Sequence, residues 1–259
     1  MPTRTASAAG NHAVRIVPLA VPAGLVEHVA GVPAAQPPNL VYRGGELLTD
    51  VQVFTIFLGA AWAGPQQQLT SDLNAFFTSV LIGELLDQLG EYDTGPYVIG
   101  HGRLLGTRTL PNTEPAPSVT DAWIQSTLRA LTASGGQVPA PAKNLLYFIY
   151  LPPGVTLVQG GSRSCQSFCG YHDHIDRQWF YAAMPYPNCA GCLGSLAALD
   201  ALTSTSSHEL CEAITDPVPG EGWYDDANGE IGDICSWQTR KIGQSTVQLE
   251  WSNRDNRCE

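Results

Sequence analysis

Asn144 to Leu151 (NLLYFIYL) is an almost unbroken apolar run of strand length. A strand without a polar face has to be covered on both sides, so this stretch forces the chain to fold in layers around it. Asp50 to Leu58 (DVQVFTIFL), with its β-branched and aromatic alternation, predicts a second strand, and Tyr97 to Leu105 a third. Between the first two, Thr70 to Leu89 places Leu73, Phe76, Phe77, Val80 and Leu81 at helical spacing, with Ser71 as cap and Gly90 as stop. Ser118 to Leu131 predicts a helix capped by Ser118 or Thr120 and ended by Gly135-Gly136. Two short strands follow, around Phe168 to His174 and Gln178 to Met184. Leu193 to Thr215 reads as one long helix, or as a short one that breaks in Thr203-Ser204-Thr205-Ser206-Ser207 and restarts under Ser206 or Ser207. Ser245 to Trp251 closes the chain as a strand.

The expected organisation is an Ala/Pro-rich arm over residues 1–40 and one domain over 41–259, long enough to bury a sizeable core. The arm has no basic start leading into a continuous apolar core, so no signal peptide is visible in it. With 24 acidic against 13 basic residues the formal charge is -11, which argues against nucleic acid and anionic membrane surfaces as partners. No apolar run is long enough to span a bilayer.

All seven cysteines fall at or after position 165. Cys165-x3-Cys169 with Cys189-x2-Cys192 reads as a disulfide framework in an oxidising compartment, with a four-thiolate zinc site as the other option. Cys211 is expected to pack or to pair with Cys235.

The chemistry concentrates in Ser207 to Pro217 (SHELCEAITDP). On a helix, His208, Glu212 and Asp216 advance by four and four, so they line one face about 40° apart. That is metal-ligand spacing. Glu209 holds the place of the general base in His-Glu-x-x-His zinc hydrolases, with a carboxylate here in place of the second histidine. Downstream, Gly222 to Cys235 (GWYDDANGEIGDIC) brings more carboxylates among glycines, from which Asp233 or Glu230 could complete the ligand set. His172 and His174 share one face of their strand. A metal role is open to them, and the other reading is a substrate-cleft strand on which one histidine stabilises an oxyanion or merely packs; His174 is taken as the catalytic one. The rival is a calcium site built from Glu212, Asp216, Asp226, Asn228, Glu230 and Asp233. No Gly-x-Ser-x-Gly, Walker or dinucleotide pattern is present.

Tyr42 to Thr49 (YRGGELLT), Phe168 to His172 (FCGYH), and Phe180 to Pro187 with Asn188-Cys189-Ala190-Gly191-Cys192 resemble the exordium, or phosphate-induced protein, family of plant cell walls. The resemblance spans roughly residues 40 to 195 and implies secretion and disulfides. It transfers no catalytic residue.

The expectation is an α/β (α+β) chain: a zincin-like mixed sheet, a helix carrying the site, and an irregular disulfide-bearing C-terminal region. Function is expected to be that of a secreted zinc metallopeptidase acting on peptide or protein substrates. His208, Glu212, Asp216 and Asp233 would hold the metal, and Glu209 and His174 would carry the catalysis. The alternative is a non-catalytic extracellular protein with structural calcium.

Overall fold

A computed structural model describes residues 17–20, 37–133, 136 and 138–259, so most of the expected N-terminal arm, with His12 and His28, and Gly135 lie outside the described residues. The apolar run becomes strand β3 (Leu145–Tyr150), the centre of a five-stranded sheet with β1 (Gln52–Leu58), β2 (Arg103–Leu110), β4 (Tyr171–Ile175) and β5 (Trp179–Met184). The spatial order is β2-β1-β3-β5-β4, with the first four strands parallel and β4 antiparallel at one edge. Every residue of β3 is buried. Leu146, Phe148 and Tyr150 face one apolar layer, and Leu145, Tyr147 and Ile149 face the other.

The first layer is made by helices α1 (Gln67–Val80), α2 (Glu84–Leu89) and α4 (Ala198–Thr215), and the second centres on α3 (Asp121–Thr132). The sequence predicts one helix over 70–89, but the chain leaves it at Leu81–Gly83. The Leu81 carbonyl accepts from Gly102 N at 2.7 Å, and Gly83 restarts the chain in extended backbone. Thr120 caps α3 as expected, accepting from Trp123 N, whereas Ser118 to Thr120 form a short strand. Strand β2 begins six residues later than its expected start, because Gly102 presses on Val51 and parallel pairing with β1 sets in only at Arg103.

Helix α4 runs without the break that its Thr/Ser run suggests. The hydroxyls find partners within the helix and beyond it: Ser207 Oγ donates to Ser204 O at 2.8 Å, Thr203 Oγ1 donates to Asp200 O at 3.2 Å, and Ser206 Oγ meets Tyr150 OH at 2.7 Å. Once satisfied, these polar side chains sit in the interior, and every α4 residue from Ala201 to Thr215 is buried.

The cysteines pair as Cys165–Cys189, Cys169–Cys192 and Cys235–Cys258, so a four-thiolate site does not form. Cys258, not Cys211, takes Cys235. Cys211 stays a buried thiol on α4. Residues 17–20 lie along the disulfide region: Val17 N donates to Gly170 O at 3.1 Å, Cys169 N donates to Val17 O at 2.9 Å, and Trp237 Nε1 donates to Pro18 O at 2.8 Å. No helix among the described residues is long and apolar enough to cross a membrane.

Phe148 packs against Phe77 with ring centroids 4.6 Å apart at the middle of the first layer. Phe148→Ala should therefore lower the unfolding free energy by about 3–5 kcal/mol in urea titrations. On the opposite face, burial pushes Asp173 up to about 6, above its ordinary 3.8. A raised carboxyl pKa favours the folded state only while the group is neutral, so the cost develops as pH rises through about 4 to 6. Asp173→Asn should be more stable than the parent at pH 7.5 by on the order of 1–2 kcal/mol, and indistinguishable from it below pH 4.

Candidate metal centre

Three parts of the chain deliver polar side chains to one dry volume. Helix α4 supplies His208, Glu209 and Glu212; strand β4 supplies His172; the C-terminal region supplies Glu230, Asp233, Gln248 and Glu250. None of His172, His208, Glu209, Glu212, Glu230 and Glu250 is more than 1 % exposed. Buried ionisable groups at this density require compensation by opposite charge or by hydrogen bonds.

The expected set His208, Glu212 and Asp233 does come together, with ligand atoms within 4.8 Å of one another. His208 Nε2 lies 2.9 Å from Glu212 Oε1, yet off hydrogen-bond direction, and has no hydrogen-bond partner. Asp233 N donates to Glu212 Oε1 at 3.2 Å. The far side of the His208 ring meets Gln248, whose Nε2 is 2.7 Å from His208 Nδ1 and donates to Gly232 O at 2.9 Å. With the amide so turned, the ring proton belongs on Nε2. A cation held at Nε2 would require that proton to leave Nε2.

Asp216 is close by but otherwise employed. Its carboxylate accepts from Gly220 N at 2.5 Å, Glu221 N at 3.0 Å and Gly222 N at 2.6 Å, clamping the turn that leaves α4. The helix face predicted the neighbourhood, but the chain unwinds at this residue and redirects the side chain.

A second group of ligand atoms forms around His172, Glu209 and Glu212. His172 Nε2 donates to Asp216 O at 3.1 Å, which leaves Nδ1 facing Glu209 Oε2 at 3.3 Å and Glu212 Oε2 at 3.5 Å. His174 shares the face but lies two residues farther along the strand, half-buried, where its Nδ1 accepts from Arg177 N at 3.1 Å. It is not among the converging groups. Nor does the expected calcium loop assemble as a set. Asp226 is exposed and pairs with Arg43, and Asn228 bonds to Asp225 Oδ1 in a turn of its own.

Several acceptors here have nothing to accept: Glu209 Oε1 and both carboxylate oxygens of Glu230 are buried without a hydrogen bond, and the Glu250 carboxyl has only the weak thiol donor of Cys211 beside it. Burial raises the Glu209 carboxyl, and raises those of Glu230 and Glu250 well above the ordinary range. Burial also opposes charge on both imidazoles, but the carboxylates outweigh it. Glu212, Glu209 and Glu250 push His208 up to about 10, while Glu230, Glu209 and Glu212 raise His172 well above its usual value. Glu212, despite its own burial, is held down at about 2 by His208 and His172. The field of this volume favours positive charge at the two histidines. A divalent cation supplies it more fully than protons do.

Gln248 and Glu250 escape sequence reasoning. They sit on the polar side of the alternation Thr246-Val247-Gln248-Leu249-Glu250, which normally marks the solvent face. Here that polar side packs on α4: Gln248 N donates to Ser207 Oγ at 2.9 Å, and Thr246, Gln248 and Glu250 are buried. Comparison with family models, with curated proteins and with solved structures gives no match to this chain.

If Asp216 serves as the clamp of the turn, Asp216→Ala should cost on the order of 2 kcal/mol in urea unfolding, since it strands three backbone amides. If the His208 centre holds a divalent cation, the variant should still take it up after refolding, measured by elemental analysis.

Proposed function

We propose that this chain is a metal-dependent hydrolase, with zinc held by His208 Nε2, Glu212 and Asp233 and with Glu209 as the general base. The observation that carries the reading is the convergence of those three ligands around an imidazole nitrogen that is buried and without a hydrogen bond. One nitrogen with carboxylates suits zinc, and would also admit manganese. Zinc bound there supplies Lewis acidity and makes a bound water acidic near neutral pH. Glu209, next to His208 on the helix and with Oε1 unengaged, takes the proton of the attacking water and delivers it to the leaving amine as the carbon–nitrogen bond breaks. His172, 3.3 Å from Glu209, is placed to orient that carboxylate and to offset charge that develops beside it.

A peptide substrate belongs to the zincin-like reading; strand β4 ends the sheet, and its Tyr171, His172 and Ile175 are buried, so an extended chain would pair there only after that edge is uncovered. The antiparallel edge strand, and the helix that follows β5 and carries the ligands, are the arrangement expected of a zincin-like enzyme; this is support by analogy. Secretion is supported by the three disulfides, and by the exordium resemblance around Cys169, Cys189 and Cys192.

The complete burial of the centre favours a second reading, a structural ion with no turnover. Gly170 walls Glu209 and Gly232 walls His208 so closely that a single added carbon would collide with each, so a substrate reaches this volume only after the walls move.

The two readings separate on one pair of variants. For the hydrolase, Glu209→Gln should keep the metal and lose at least about 100-fold in the rate of peptide cleavage. His208→Ala should lose the zinc of this centre and the activity with it. Full activity in Glu209→Gln would refute the base, and a zinc-loaded parent that cleaves no peptide in a broad library would leave the structural ion.

A further inference from the structure

We propose that Glu212 bridges two divalent cations, the second held by His172 Nδ1, Glu209 Oε2 and Glu212 Oε2; this rests on the metal reading of the His208 centre. The two oxygens of Glu212 face different histidines. Oε1 lies 2.9 Å from His208 Nε2, and Oε2 lies 3.5 Å from His172 Nδ1. A carboxylate so placed is oriented to hold two ions at the roughly 3.5–4 Å separation common in two-metal sites.

The second position is better prepared than the first. His172 donates from Nε2 to the Asp216 carbonyl, so Nδ1 is the nitrogen turned toward the two carboxylate oxygens. Such an outer hydrogen bond from the far nitrogen to a backbone carbonyl is how proteins set a ligating histidine. Nδ1 and the two oxygens lie 3.3–3.5 Å apart with none of the three residues more than 1 % exposed. Glu230 stands beside them with neither oxygen hydrogen-bonded, Oε1 at 3.4 Å from His172 Nε2.

Charge points the same way. Five carboxyl groups, those of Glu209, Glu212, Asp216, Glu230 and Glu250, are fully buried around the two imidazoles, and Asp233 borders them. Three amides satisfy Asp216, which leaves five carboxyl groups beside the two imidazoles when Asp233 is included. The donor set, one nitrogen per ion and otherwise oxygen, suits manganese or zinc. With Oε2 on the second ion, Glu209 still has Oε1 for a proton.

The test uses the full chain, stripped with chelator and reloaded with Mn2+, which avoids binding at the Cys211 thiol. Expected are two Mn2+ per chain by elemental analysis, with a spin-coupled low-temperature EPR spectrum, falling to one uncoupled ion in His172→Ala and in His208→Ala. One ion in the parent, unchanged in His172→Ala, would overturn the second site and leave the His208 reading standing. A single ion lost in His172→Ala but kept in His208→Ala, or no ion at all, would overturn both. Two ions without coupling would show that Glu212 does not bridge. The parent's stoichiometry and spectrum decide the matter even if a variant fails to fold.

Discussion

The organisation of this molecule turns on carboxyl groups placed where water cannot reach them. Leaving an ionised carboxylate dry costs several kcal/mol unless a partner compensates. Glu209 and Glu212 are nevertheless on a helix that is buried on all sides, and Glu230 and Glu250 are brought in from elsewhere to join them. Every neighbouring element is arranged around that cost. Strand β4 contributes an imidazole, the turn after α4 sequesters Asp216 with three amides, and Gln248 fixes the remaining ring.

The sheet provides the rigidity that such a cluster needs. β3 is clamped between parallel neighbours and packed on both faces, and Tyr150 at its end reaches α4 through Ser206. The position of the helix is therefore referred to the most buried strand in the protein. The hairpin register His172↔Ala182 then fixes which histidine meets the helix, because the small side chain of Ala182 lies beside it on β5. His174, opposite Phe180, is carried past the end of the cluster.

Much of this was legible in the residues. The apolar run could only be a central strand, Thr120 could be recognised as a cap, and the four-residue steps of His208 and Glu212 placed both on one face. What remained hidden depended on tertiary partners. The choice between His172 and His174 is invisible to a two-residue period and needs the hairpin register. The Thr/Ser run was read as a possible break because nothing local says that its hydroxyls will find Tyr150 and Gln248 N. Asp216 kept the spacing of a ligand but lost the geometry when the helix ended there. Gln248 and Glu250 looked like surface residues because the polar side of their strand, contrary to the usual rule, faces inward.

That last feature bears on how the molecule comes to exist. The helix with His208 is complete by residue 215, but its polar face is closed by Gln248 and Glu250, and Cys235 is fastened by Cys258. The carboxylates of the helix are therefore made before the residues that shut water away from them, and stay in contact with water until Gln248 and Glu250 have been added and folded back.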